Sequence, residues 1–252
     1  MRGMKLLALD SSTDWISVAA GDGSTWRLRD EPASNMHFER VMPLLREVLA
    51  EAGWRLRDLD AIAFGAGPGA FTGVRIASGV AQGLALGAAL PLVPVGTLEA
   101  LAEECWRLYG SERVLAALDA RMREVYVAAY RRDGAHWQCV QAPAVCKPDD
   151  VTVPPGAWTG AGDGFAQYPM LASRLALANV HVDARPSARA IALLAIEHGV
   201  VPPNLGCDEP MPEAAPWIAL RPVEQRIDTA VSNSFGFGGN NACLIFGRGD
   251  AA

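Results

Sequence analysis

Hydrophobic and polar positions alternate in short runs at the start of the chain. "KLLALDSS" and "WISVAAGDGSTWRLR" give apolar stretches bounded by Asp, Ser and Gly, the pattern of strands joined by tight turns. An antiparallel meander is predicted, with the Asp10 carboxylate at its first turn. From "SNMHFERVMPLLREVLAEAG" the period lengthens. Val41, Leu44, Leu45, Val48 and Leu49 share one helical face, Ser34 or Asn35 is placed to cap it, and Gly53 to stop it. Pro43 falls in the first turns, where a missing N–H costs least. The next stretch, "LDAIAFGAGPGAFTGVRIASGVAQGLALGAALPLVPVGTLEALAEEC", reads as a buried strand, a glycine-rich turn, a helix of small residues, a further strand and another helix. That order is α/β. A second half begins at "RVLAALDARMREVYVAAYRRDG" and repeats strand, turn, strand with Asp119 near the turn, so two similarly built lobes are expected. After the helical "SARAIALLAIEHG" the periodicity fades, and prolines 202, 203, 210, 212, 216 and 222 punctuate residues 199–231.

The helix rich in small residues has two readings. Ala77, Gly79, Ala81, Gly83 and Gly87 lower intrinsic helix stability, by about 1 kcal/mol for each Gly relative to Ala, while letting another element come close. That element is either a neighbour within the domain or a partner.

Composition narrows the field. The 252 residues are 50% hydrophobic and 20% charged, enough apolar material for one large domain or two small ones. A net charge of −6 argues against gripping nucleic acid unaided, since phosphate binding is mostly neutralisation by Lys and Arg. Cys105, Cys139, Cys146, Cys207 and Cys243 form an odd set without C-x-x-C spacing, so neither a disulfide framework nor a zinc site is suggested and reduced cytoplasmic thiols are expected. The apolar part of "MRGMKLLALD" is too short for a signal peptide, and "GVAQGLALGAALPLVPV" is too short and too broken to cross a bilayer.

Candidate chemistry is sparse. Asp10, Ser11 and Ser12 either face a phosphate, with the carboxylate holding a metal-bound water, or simply close a β-turn. Asp119 has the same two readings, and its neighbours Arg121 and Glu124 could equally form a structural ion pair at a strand end. Gly65, Gly67, Pro68, Gly69 and Gly73 could aim N–H groups at an anion where the following helix begins, although no Gly-Lys-Ser/Thr follows to make a Walker A loop. Thr72 is a candidate N-cap and Arg75 a candidate anion or partner contact. His37, His136, His181 and His198 include no i, i+4 pair, so no helical metal site is expected.

"LLALDSSTDWISVAAG", "GAGPGAFTGVRIASGVAQGLALGAALPLVPVGTLEALAE" and "ALDARMREVYVAAYRRDG", in this order, resemble the TsaB (YeaZ) family over roughly residues 4–190. The resemblance implies the two-lobed ASKHA fold of actin, Hsp70 and sugar kinases, with lobes over 1–105 and 106–190. It further implies a cytoplasmic, non-catalytic subunit that binds its paralogue TsaD and, with the ATPase TsaE, supports N6-threonylcarbamoyladenosine formation at position 37 of tRNA, reached only through the complex. The family's partner contact maps onto the helices near 37–52 and 71–90, carrying His37, Arg40, Val41, Leu44, Arg75, Ser78, Gly79, Gln82 and Gly83, a surface that can also form a homodimer. No cofactor is required. A vestigial cleft at Asp10, Ser11, Ser12, Gly67, Gly69, Thr72, Gly73 and Asp119 would bind ATP or ADP weakly at most.

The end of the chain resembles something else. "LLAIEHGVVPPNLGCDEPMPEA" and "AVSNSFGFGGNNACLIFGR" are similar to the C-terminus of β-ketoacyl-ACP synthases, in which the residue matching Phe237 gates the active site. The tail is assigned to 191–252, with a crossover within 185–198. The upstream cysteine and histidine motifs of a condensing enzyme are missing, so Phe237 would be a gate without a site. "ACLIFG" is then a strand without its native sheet, an aggregation hazard unless it finds an edge. Two alternatives accompany the TsaB-like reading: a non-functional chimera, and an independent nucleotide- or peptide-hydrolysing enzyme.

Overall fold

A computed structural model describes residues 4–33, 36–198, 229–235 and 241–247. The opening meander forms as β1 (Leu6–Asp10), β2 (Trp15–Gly21) and β3 (Trp26–Pro32). After α1 (His37–Ala52) come β4 (Ala61–Gly65), α2 (Phe71–Ala88), β5 (Leu92–Val95) and α3 (Thr97–Tyr109). β1, β4 and β5 are parallel, giving a sheet ordered β3-β2-β1-β4-β5.

The second half builds the same object. β6 (Arg113–Arg121), β7 (Glu124–Asp133) and β8 (His136–Cys146) are an antiparallel meander. Parallel strands β9 (Thr159–Ala161) and β10 (Asn179–His181) add beside β6, with the short helices α4 (Gly164–Gln167) and α5 (Met170–Arg174) between them. The order β8-β7-β6-β9-β10 repeats that of the first sheet, so the expectation of two similarly built lobes holds at the level of topology.

Packing follows from residue alternation. β1 is buried on both faces: Leu7 and Leu9 join α1 and α2, while Leu6 and Ala8 point to the opposite face. α1 turns Val41, Leu44, Leu45 and Val48 inward, each worth about 1.5–3 kcal/mol on full burial. That sum offsets Pro43, which lies in the second turn of α1, within the first turns as expected. Gly53 ends the helix in the left-handed conformation, with φ 69°. α3 is shared: its Ala100 packs below the first sheet, while Leu98, Leu101, Ala102 and Cys105 pack on the second.

The last helix changes the expected domain division. α6 (Ala188–His198) lies under the first sheet, where Ala188, Ile191 and Leu194 are fully buried against Leu6, Ala8 and Ala63. Residues 191–198, placed in the tail by the resemblance, therefore continue a helix of the folded body. The expected boundary at 105 likewise falls inside α3. Ser187 fixes the start of α6: its hydroxyl donates to Glu104 Oε2 at 2.6 Å and accepts from the Ala190 N–H at 3.1 Å. Beyond α6, β11 (Thr229–Phe235) and β12 (Asn241–Gly247) pair only with each other, as a separate two-stranded antiparallel sheet. Ser34, Asn35, Cys207 and Phe237, the expected helix cap and the gate-like residue among them, lie outside the described residues.

Candidate functional site

The turn after β1 and the glycine loop after β4 meet. Asp10, Ser11 and Ser12 are 2%, 1% and 2% exposed. Asp10 Oδ1 accepts from the Ser12 N–H at 3.1 Å and from its hydroxyl at 2.8 Å, a closed Asx turn. The Ser11 hydroxyl donates to the Gly73 carbonyl at 2.7 Å, and the Ala70 N–H donates to the Ser12 carbonyl at 2.7 Å. A Cβ on Gly73 would land on the Ser11 carbonyl oxygen, one on Gly69 would meet Ser12 Cβ at 2.7 Å, and one on Gly65 would overlap Asp10 Oδ2.

Gly69 and Gly73 are thus accounted for by backbone approaching backbone, and Gly65 by the Asp10 carboxylate beside it. Asp10, Ser11, Ser12, Gly69 and Gly73, expected to line a phosphate-facing cleft, pack against one another here. Thr72 does not cap α2. The N-cap is Ala70, and Thr72 lies exposed within the first turn, because the helix starts two residues earlier than the glycine spacing suggested. Gly67, with φ 93°, turns the chain and its carbonyl accepts from the Thr97 N–H at 2.8 Å, tying the loop to α3.

Burial governs the electrostatics. Among the described residues Asp10 Oδ2 has no hydrogen-bond partner. Desolvation pushes the Asp10 carboxyl up to about 6 against the opposing hydrogen bonds from Ser12, with the charge of Asp30 adding to the rise. In the other lobe the Asp119 N–H donates to Asp163 Oδ1 at 3.0 Å. Burial raises Asp163, and the nearby Asp119 and Asp14 charges raise it further. The structural reading of Asp119 finds its ion pair: Arg121 lies 3.3 Å from Asp119 and 3.3 Å from Asp14, linking the two lobes at their surface. No group of three His, Cys, Asp or Glu among the described residues is placed to hold a metal.

The helical face expected to meet a partner separates into two sets. Ala77, Ala81 and Ala85 face inward and are buried, whereas Gly79, Gly83 and Gly87 are exposed and a Cβ on any of them would meet nothing within 4 Å. The reading of packing within the domain thus holds for the alanine side, while the glycine row stands open. Arg75 is exposed and lies over the Phe71 ring at 3.5 Å from its centroid; Ser78 and Gln82 are half-buried beside the glycine row. On α1 the expectation fails for three residues. Val41 and Leu44 are each 1% exposed and sit in the core. His37 is buried with Nε2 2.9 Å from the Thr13 carbonyl. Arg40 is half-buried and held by a bidentate pair with Glu31 on β3, at 2.6 and 3.0 Å.

Sequence reasoning passed over the apolar side chains that are exposed here. Phe38 is 73%, Phe71 65%, Met36 54% and Leu86 48% exposed. Phe38 stands three residues before Val41 and seven before Leu45, in line with the apolar stripe, so its exposure leaves no mark in the spacing. Exposed aromatic rings near an open glycine row suit protein contact, where flat side chains bury much area with little loss of rotamer freedom.

Comparisons with known proteins agree with this picture. The family model described as tRNA N6-adenosine threonylcarbamoyltransferase (TsaD) matches residues 30–179. The tRNA threonylcarbamoyladenosine biosynthesis protein TsaB of Escherichia coli strain K12 is 43% identical over 173 residues, 67% of this chain and 75% of that protein. Its counterpart from Haemophilus influenzae is 41% identical over 59% of this chain and 66% of its own length. Among solved structures, YeaZ from Pseudomonas aeruginosa superposes with a TM-score of 0.71 at 40% identity, covering 78% of this chain and 91% of its own. A fold of two like sheets, a matching family model over more than half the sequence and relatives above 40% identity converge on one conclusion: the chain belongs to the TsaB (YeaZ) family.

Proposed function

We propose that this protein is the TsaB-type subunit of a tRNA threonylcarbamoyladenosine-forming assembly, and that it acts by binding a TsaD paralogue. The observation that carries the reading is the outer face of α2. Gly79, Gly83 and Gly87 stand open there, and Phe71, Leu86 and Arg75 lie exposed on the same helix. Such a face lets a partner helix approach closely along the glycine row while the larger side chains bury area at its flanks. The closed Asp10–Ser12 turn supports a supporting role over chemistry of its own. TsaE and tRNA are then reached through the complex, and a homodimer on the same face would compete with TsaD.

Pull-down with TsaD and a reconstituted tRNA modification assay test this. Wild type binds and stimulates modification, while Gly83→Trp, placed in open space, loses both and keeps the wild-type melting temperature. Failure of the wild-type chain to bind and to stimulate refutes the proposal. Nucleotide turnover by the purified chain alone, abolished in Asp10→Ala, would replace it with the hydrolase reading.

A further inference from the structure

The two five-stranded sheets have four edges, and they differ in how they are protected. β3 carries Arg27, Arg29, Asp30 and Glu31, with Arg29 bridged to Glu47 and Glu51 and Glu31 to Arg40 on α1. β5 is four residues long and contains Pro94, and β10 is three residues long. Charge, proline and shortness are the usual guards of a sheet edge. β8 is different: eleven residues, "HWQCVQAPAVC", without a Lys, Arg, Asp or Glu, most of them exposed. Pro143 and two shifts in register, one on either side of Ala129, interrupt it from Val140 onward. Residues 136–139 remain as a regular edge without such a guard.

Helix α6 ends beside that edge. Glu197, in its last turn, lies 2.6 Å from His136 at the start of β8, and Trp137 packs against the α6 cluster. Residues 199–228 separate α6 from β11 in the sequence, a length of chain that reaches at most about 100 Å. Neither strand of that hairpin contains a charged residue, β12 carries Leu244, Ile245 and Phe246 in succession, and each strand has one ladder partner only. A tethered segment meets its target at an effective concentration in the millimolar range, which favours it over a second copy in dilute solution.

We propose that the C-terminal hairpin docks through β12 on residues 136–139 of β8, extending the second sheet by two strands. The tail then shields the uncharged edge of the second five-stranded sheet and hides its own apolar strand in the same step. Hydrogen–deuterium exchange on the full chain, wild type against Leu244→Pro, tests it. Docking requires the edge-facing amides of 136–139 to exchange at least about tenfold more slowly in wild type, independently of protein concentration. Equal exchange in the two chains overturns the proposal, and so does protection that grows with concentration, which assigns the edge to a second copy. Should the variant precipitate, the wild-type chain suffices. A short bifunctional thiol reagent joins Cys139 to Cys243 within one molecule if the hairpin is docked, and absence of that crosslink in the monomer sinks the idea.

Discussion

The glycines of α2 make a quantitative test, because one helix holds both kinds. Gly73 faces Ser11, and a methyl group there overlaps the Ser11 carbonyl oxygen. Relief requires the first turn of α2 to move away, which breaks the Ser11–Gly73 and Ala70–Ser12 hydrogen bonds, both 2.7 Å. Two buried hydrogen bonds at about 1 kcal/mol each, with about 1–3 kcal/mol of overpacking strain, put Gly73→Ala at roughly 3–5 kcal/mol destabilising. At about 2–4 °C per kcal/mol for a protein of this size, the melting temperature drops by roughly 6–20 °C. Gly79→Ala and Gly83→Ala act in the opposite direction. Both methyls enter open space on a helix, so each substitution gains about 1 kcal/mol of helix propensity, and the pair raises the melting temperature by about 4–8 °C. Thermal and urea denaturation of the full chain at low protein concentration measures all three. A Gly73→Ala variant that melts with wild type refutes the closed-turn account. A destabilising Gly79→Ala refutes the open face, and if the loss disappears on dilution, a second copy covers it.

Two further outcomes are expected. Asp10 has its carboxyl raised from 3.8 to about 6 in the folded protein, so folding favours its protonated form. Its stabilising contribution is full below pH 4 and is lost as pH rises through about 6, a change of about 3 kcal/mol. The difference in unfolding free energy between wild type and Asp10→Asn should shift by that order between pH 4 and 7, and a flat difference contradicts the burial argument. Glu103 Oε2 accepts from Arg132 and from Trp137 Nε1, both at 2.8 Å, with Arg132 lying 3.5 Å over Trp106. Glu103→Ala strands a buried guanidinium and an indole N–H, so a loss of about 3–5 kcal/mol is expected, read by urea denaturation with tryptophan fluorescence. A loss under about 1 kcal/mol shows the pair to be dispensable.

Much of the fold was legible because it is written in local periods. The meander of β1 to β3, the α1 stripe and the likeness of the two halves all follow from spacing and turn residues. The site was less legible, for reasons that are physical. Gly73 and Ser11 are 62 positions apart, so the contact that demands a glycine leaves no mark near it in the sequence. The glycine loop offered the same residues to a phosphate or to another turn, and only the fold decides between them. Composition also fails to separate Ala77 from Gly79, which face opposite ways on one helix. The role of α6 was hidden for a related reason: its apolar pattern reports a buried face but not which sheet buries it.

That helix sets the order in which the chain can fold. β1 to β5 precede residue 96, yet one face of their sheet is completed by Ala188, Ile191 and Leu194. During synthesis from the N-terminus, the first lobe emerges early with that face bare and must wait for nearly one hundred more residues before it can close. It is discontinuous in sequence, its longest-range contacts form last, and the slow closure of such contacts couples both lobes into one folding event. A nascent chain stopped anywhere before α6 therefore displays the apolar underside of its first sheet, a natural recognition surface for chaperones.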